Sequence, residues 1–156
     1  MHFSPTVELI SLVRQFVTSF YERSLVEPDT TSRVALATHE LLENACKYSI
    51  DGETRIRIEL GAGRSTIGIR ISNRTNRGHI ANLQERFAMM KQFPDPADYY
   101  RQMMAAAVRR KDGSGLGLAR IRAEADMVLA MELDGDRLTI IADTTVVDGP
   151  RPGTPA

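Results

Sequence analysis

Residues 39–49 read His39-Glu40-Leu41-Leu42-Glu43-Asn44-Ala45-Cys46-Lys47-Tyr48-Ser49. With 3.6 residues per helical turn, Glu40, Asn44 and Lys47 fall within about 60° of one helix face. The adjacent stripe is apolar and consists of Val34, Ala37, Leu41 and Ala45. A solvated polar face is one interpretation. Asparagine is a poor helix former, however, so its position in mid-helix indicates that the Asn44 side chain has a function. The stretch therefore predicts an acid, an amide and an ammonium group beside a buried helix face.

A second informative stretch is Gly113-Ser114-Gly115-Leu116-Gly117-Leu118, which opens a predicted helix. Glycine lets the backbone approach a ligand closely, and the free amides at a helix N-terminus attract an anion. Phosphate is the obvious candidate, and a purely structural glycine turn is the alternative. No Lys-Ser or Lys-Thr pair follows, so the loop is not of the Walker type.

Periodicity and turn residues predict the remaining elements. The first helix covers residues 6–25, with an apolar stripe of Leu9, Val13, Phe16 and Phe20. The others are a helix from Thr30, Thr31 or Ser32 to Tyr48, a β-hairpin of 54–60 and 65–72, helices over 80–92 and 97–110, a helix from the glycine loop to about Asp126, and a hairpin of 128–132 and 137–142. This order predicts an α+β fold, a two-layer sandwich of helices on a mixed or antiparallel sheet with a helical insert at about 74–112. We expect one domain over 1–147 and a flexible tail over 148–156, because the tail is rich in proline and glycine.

Composition is that of a soluble globular protein, with 42% hydrophobic and 26% charged residues among 156. The 20 basic and 20 acidic residues cancel, but they are unevenly spread. Residues 55–122 carry a net charge of +9, whereas the flanking segments carry −4 and −5. A single cysteine, no long apolar run and no signal-peptide pattern predict a cytoplasmic protein outside the membrane.

The motif Glu40-x-x-x-Asn44-Ala45-x-Lys47-Tyr48 resembles the N box of the GHKL superfamily, the ATPases that join gyrase, the large heat-shock chaperone, histidine kinases and the mismatch-repair ATPase. The stretch Gly113-x-Gly115-Leu116-Gly117-Leu118 resembles the second glycine box of that superfamily. The resemblance covers roughly residues 4–143, and it is greatest to stand-alone anti-sigma-factor serine kinases. It implies a helical layer on a mixed sheet, with ATP held between helices under a lid.

The resemblance also implies roles for individual residues. Asn44 would coordinate the Mg²⁺ that bridges the ATP phosphates, and an amide oxygen suits this hard cation. Glu40 would be the general base toward the attacking hydroxyl, and Lys47 would lie near the phosphates. The backbone of the glycine box would cradle the phosphates through Gly113, Gly115, Leu116, Gly117 and Leu118.

The first glycine box of the superfamily is degenerate in this chain. An aspartate that binds the adenine amino group is expected after the second strand, where this sequence has Ile71-Ser72-Asn73-Arg74. The amide oxygen of Asn73 could accept from that amino group, although a neutral amide is the weaker acceptor. A plain polar turn after a strand is the alternative. Five basic residues border the insert: Arg74, Arg77, Arg109, Arg110 and Lys111. They could clamp the triphosphate or receive an acidic partner, and the alternative is exposed charge that only aids solubility.

Two functions follow as hypotheses. The first is an ATP-binding bacterial switch protein, a serine/threonine kinase of a STAS-domain antagonist or a binder of a sigma factor, and relatives suggest a homodimer. The second is a pseudokinase that serves as an interaction scaffold, favoured by the missing adenine acid. Nucleic-acid binding through the basic middle is least favoured, because no recognised binding module is visible. His39 and His79 lack metal-ligand spacing, and no metal is assigned to them.

Overall fold

The computed structural model describes residues 2–3, 6–24, 28–61, 66–110 and 115–144. Its elements, in chain order, are β1 His2–Phe3, α1 Val7–Ser24, α2 Pro28–Tyr48, β2 Thr54–Leu60, β3 Ile67–Arg74, α3 Arg77–Lys91, α4 Pro96–Arg110, α5 Leu116–Ala123, β4 Met127–Asp134 and β5 Arg137–Thr144. The predicted α+β fold is confirmed. Gly113 and the predicted tail over 148–156 lie outside the described residues.

The strands form one sheet in the order β1-β2-β3-β5-β4, and each neighbouring pair is antiparallel. The register places Ile56 opposite Ile71 and Ile71 opposite Ile140. Because side chains alternate along a strand, these isoleucines share the inner face and are buried there. The outer face is charged, and Arg70 lies 3.5 Å from both Glu59 and Glu132. The sheet therefore covers the core with one face only.

Helix α2 lies between the sheet and the other helices. The apolar stripe predicted for it is fully inside the core, with each member 3% exposed or less: Val34, Ala37, Leu41 and Ala45. The helix contacts α1 and α5 on its sides and β3 and β5 beneath. This central position puts the polar edge of α2, with Glu40 and Asn44, next to both the sheet end and α5.

Helix α1 corrects one prediction. Its core-facing residues are Ile10, Val13, Val17 and Tyr21, all 6% exposed or less. Phe16 and Phe20 of the predicted stripe are 58% and 38% exposed instead. The main partner of α1 is α2, so a narrow stripe suffices for packing. Two overlapping apolar stripes fit the same sequence at helical spacing, and burial selects the one rich in β-branched residues.

Three element boundaries also differ from the predictions. Helix α2 begins at Pro28 rather than at residues 30–32, because proline fits the first turn of a helix, where its missing N–H costs nothing. Helix α5 ends at Ala123, and Asp126 then takes a positive φ of 50° that ends the helical path. Strand β1 was not predicted, since two residues show no alternation.

The insert is helical, as predicted. Asn76 caps α3, and its side chain accepts a hydrogen bond from the backbone N–H of His79 at 2.8 Å. The insert carries its own apolar contacts into the core through Leu83, Met90, Tyr99 and Met103, which are all buried. Helices α4 and α5 pack on each other. The insert is therefore anchored on the body of the domain at the entrance to α5.

Candidate functional site

Glu40 is the most constrained acid near the predicted site. The residue is 8% exposed, and its Oε1 accepts a hydrogen bond from Nη1 of Arg120 at 2.6 Å. The same guanidinium contacts Glu124 through Nη2 at 3.2 Å. A short charge-assisted bond of this kind fixes the position of a carboxylate. Glu40 is thus held against α5 by a residue that the motifs did not single out.

Burial and charge act in opposite directions on Glu40. Burial raises the pKa of its carboxyl, the Arg120 guanidinium lowers it, and Glu43 raises it again. The net direction is upward. A carboxyl with a raised pKa is a better proton acceptor than an ordinary surface glutamate, because a base works best when its pKa is close to the operating pH.

The first turn of α5 touches this carboxylate. A Cβ placed on Gly117 would lie 2.6 Å from Oε2 of Glu40, so glycine is required for the close approach. Gly115 precedes the helix in the left-handed region, with φ +91°. The first backbone N–H groups of a helix have no intrahelical acceptor, so Leu116, Gly117 and Leu118 offer donors beside the acid. The Leu118 side chain is in the core, which leaves only its backbone for a ligand.

Arg86 of the insert reaches the same turn. A Cβ on Gly115 would overlap the Arg86 guanidinium, so that cation lies directly over the glycine. The Nε of Arg86 donates to Oδ1 of Asn82 at 2.6 Å, which orients the side chain along α3. No local pattern predicts this role of Arg86, because Gly115 lies 29 residues further along the chain.

Asn44 and Asn73 meet at a small cavity between α2 and the sheet. The cavity is about 10 Å³ and is lined by Leu41, Asn44, Ala45, Ile71, Asn73, His79, Leu138 and Ile140. Asn73 is buried, with 5% exposed. Its Nδ2 donates to the backbone carbonyl of Arg74 at 3.2 Å, which leaves its amide oxygen as an acceptor.

His79 closes one side of that cavity. Its ring stacks on Tyr48 with 3.6 Å between ring centroids and 15° between the planes. The Nζ of Lys47 lies 5.2 Å from the centroid of the same tyrosine ring. Burial, followed by the charges of Arg86 and Lys47, lowers the pKa of His79 to about 4. The imidazole is therefore neutral at neutral pH.

Arg74, one of the basic residues that the sequence offers as a phosphate clamp, has acidic partners instead. Arg74 binds Asp136, with Nη2 2.6 Å from Oδ2, and also lies 3.6 Å from Asp51. Arg77 and Arg109 are exposed. The side chain of Arg110 and all of Lys111 fall outside the described residues. Among the described residues, Arg86 and Arg120 are cations near the glycine turn.

A family model described as a histidine kinase-like ATPase domain matches residues 3–144. The chain belongs to the histidine kinase-like ATPase family. The residues of the two boxes, and α3 and α4, all lie within this matched range. None of the helices in the described ranges is long and apolar enough to cross a membrane.

Structural comparison supports the same fold. One chain of the crystal structure of the SiaB-SiaC complex from Pseudomonas aeruginosa superimposes with a TM-score of 0.65. The two chains share 13% sequence identity over 92% of this histidine kinase-like chain and 87% of the other. A search of curated proteins found no significant match. At this identity the similarity shows the fold alone.

Proposed function

We propose that the chain binds ATP and transfers its γ-phosphoryl group to a serine or threonine hydroxyl of a regulatory protein. The observation that carries the proposal is the contact between Glu40 and the first turn of α5, where Gly117 leaves no room for a Cβ. It sets a base with a raised pKa beside helix amides that have no acceptor within the helix. Phosphoryl transfer requires this pairing of a proton acceptor with donors for phosphate.

The residues present fit a nucleotide with Mg²⁺. Magnesium takes few protein ligands and completes its shell with water and phosphate oxygens, so one amide oxygen from Asn44 suits it. Bound there, the cation would neutralise phosphate charge. The amides of residues 115–118 would hold the phosphates, with Lys47 nearby. By the resemblance, Gly113 extends this cradle, and Asn73 accepts from the adenine amino group.

In the proposed reaction the acceptor hydroxyl attacks the γ-phosphorus in line with the bridging oxygen. A new P–O bond forms to the hydroxyl oxygen, the bond to the bridging oxygen breaks, and ADP leaves with that electron pair. Glu40 accepts the proton of the hydroxyl. Arg120 holds the Glu40 carboxylate in place by its 2.6 Å hydrogen bond, so it acts as a positioning residue.

We propose a protein partner of the STAS-domain antagonist or sigma-factor class, in the bacterial cytoplasm. The resemblance to anti-sigma-factor kinases supports this class, and the similar fold was solved in a complex of two proteins. We also propose a homodimer. An exposed apolar stripe on α1 supports it, formed by Leu12, Phe16 and Phe20 with 61%, 58% and 38% exposed.

A pseudokinase scaffold is the second candidate function. The small cavity beside Asn44 and the asparagine in place of the adenine-binding acid favour it. Calorimetry with Mg·ATP and Mg·ADP separates the two functions. A dissociation constant weaker than about 1 mM, or about −4 kcal/mol, favours the scaffold.

The decisive variant is Asn44→Ala. We expect it to abolish Mg²⁺-dependent ATP binding and phosphoryl transfer to the partner, because it removes the metal ligand. Gln102→Ala is the matched control, since it removes an exposed amide on α4 and leaves the site intact. Transfer that persists in Asn44→Ala, in a preparation with the wild-type thermal unfolding midpoint, refutes the kinase assignment.

A further inference from the structure

The pocket next to Asn44 and Asn73 has the lining of a site for a flat, partly polar ring. Five of its side chains are apolar, Leu41, Ala45, Ile71, Leu138 and Ile140, and two are amides. Small-molecule pockets have this composition, largely apolar with a few placed polar groups, and a volume of about 300–1,000 Å³. The cavity here is about 10 Å³, which is room for about one water molecule. The lining is therefore that of a base-type pocket, but the cavity is too small for a base.

The His79 imidazole is one of the side chains that line this cavity, and its removal would enlarge it. His79 is the cavity-lining residue that comes from the insert, whereas the other lining residues belong to α2, β3 and β5. Its ring lies nearly parallel to Tyr48, with the centroids 3.6 Å apart. Paired aromatic rings in proteins usually have centroids 4.5–7 Å apart. No third ring can enter between two rings at this separation.

We propose that His79 occupies the position of the nucleotide base beside Asn73, so that the pocket is closed by the chain's own side chain and ATP binds only when His79 leaves. This inference rests on the proposed nucleotide function. It makes His79 a residue that sets nucleotide affinity by competition rather than by contact with the nucleotide.

The backbone around the stack is fixed, so opening must come from the first turn of α3 and its side chain. The hydroxyl of Thr75 donates to the carbonyl oxygen of Tyr48 at 2.8 Å, and the N–H of Ile50 donates to the carbonyl oxygen of Arg74 at 3.0 Å. These bonds tie the end of β3 to the end of α2. The backbone that carries the Tyr48 ring is therefore held in place when His79 moves.

No charged group has to leave the stack at neutral pH. Lys47 and Arg86 lower the pKa of His79 in addition to burial, so a neutral ring leaves the stack at neutral pH. The ring is held by its contact with Tyr48 and by burial, whereas the Asn76 cap at 2.8 Å holds only the backbone of His79. A nucleotide with additional phosphate contacts can outcompete the ring.

The test is calorimetric titration of the full chain with Mg·ATP, comparing wild type, His79→Ala and His79→Phe. If the closed form is about nine-tenths populated, removing the ring tightens the apparent dissociation constant about tenfold in His79→Ala. His79→Phe retains a ring on Tyr48, and we expect its affinity to be no tighter than that of wild type. Gln84→Ala, an exposed change on the same helix, should not alter affinity.

The possible results separate the two proposals. Tighter binding by His79→Ala, including the case where wild type does not bind measurably, supports the closed pocket. Binding by wild type with equal or weaker binding by His79→Ala overturns the closed pocket and leaves the nucleotide function standing. Absence of binding in both proteins, with wild-type circular dichroism, overturns the nucleotide function and the closed pocket together. His79→Ser replaces His79→Ala if the alanine variant does not fold.

Discussion

Glu40 shows how closely one carboxylate can be confined by backbone. Gly117 lies against it, so Gly117→Ala should push the carboxylate from its place and reduce phosphoryl transfer by tenfold or more. Gly78→Ala is the control, because its Cβ would be no closer than 3.4 Å to Asn76. Alanine is a better helix former than glycine, so Gly78→Ala should raise the free energy of unfolding by about 0.5–1 kcal/mol. Chemical denaturation and a transfer assay give both values, and full activity in Gly117→Ala would contradict the assigned base.

Arg120 acts on the same carboxylate through charge. Burial raises the pKa of Glu40 and Arg120 opposes that rise, so Arg120→Gln should raise the pKa further. The base works deprotonated, and the acid limb of the kcat/KM profile should therefore move to higher pH. Because Glu40 is buried and would lose its charged partner, the free energy of unfolding should also fall by about 1–3 kcal/mol.

The matched control for this pH profile is Arg57→Gln, which removes an exposed arginine on the outer face of the sheet. Its acid limb should coincide with that of wild type. An unmoved limb in Arg120→Gln would show that Glu40 does not set the acid side of the profile, or that Arg120 does not act on it.

The motifs predicted part of this geometry. The spacing in α2 placed Glu40 and Asn44 on one face, and the glycine box predicted the amides of α5. The partners Arg120, Arg86 and His79 were not predicted, because each contact joins positions far apart in the chain. Glu40 and Arg120, for example, are separated by 80 residues. A helical period carries no information about which distant cation meets a given acid.

At the scale of elements, α1 has an unpaired apolar side. In a two-fold symmetric dimer the same patch appears on both subunits, and the stripe of Leu12, Phe16 and Phe20 can pack on itself. Phe16→Glu should then place a charge in the interface and convert the protein to a monomer. Sedimentation equilibrium measures this, with Glu22→Gln as an exposed control on the same helix. A wild-type protein that is monomeric at high concentration contradicts the homodimer.

The strands and helices differ in how well the sequence predicted them. Strands β2, β3, β4 and β5 overlap their predicted ranges, because alternation with period two has one solution once a face is buried. The boundary of α2 was missed, since proline at a first turn and hydroxyl residues just after it are both acceptable starts. The buried face of α1 was predicted wrongly because the apolar character of Phe16 and Phe20 does not show whether these side chains are buried.

The whole molecule should lose stability in mild acid, and His79 gives a specific reason. Its pKa is about 4 in the folded chain, against 6.5 for an ordinary histidine. Between these values the unfolded chain binds more protons, so the free energy of unfolding rises with pH across this window and falls as pH is lowered through it. Urea denaturation at pH 7, 5.5 and 4.5 measures the slope. His79→Phe should show a smaller slope, and an equal slope would mean that His79 does not contribute.

The net charge of zero also has a structural account. Several arginines of the +9 segment, such as Arg57 and Arg70, lie on the outer face of the sheet and meet Glu59. Arg74 meets Asp136. Part of the positive charge in the middle of the chain is matched by acids from the flanking segments, as at Arg70, Arg74 and Arg120. Near the glycine turn, Arg86 lies over Gly115 and Arg120 binds Glu40.

Helix α3 carries His79 and Arg86 seven residues apart, or about 10 Å along one rigid rod. One end lies in the pocket and the other lies over Gly115. A protein that grips the insert and shifts this rod would alter nucleotide affinity, and thermodynamic linkage requires ATP to alter the affinity for that protein by the same factor. Helix α3 would then couple partner binding to nucleotide binding, without any contact between the partner and the nucleotide.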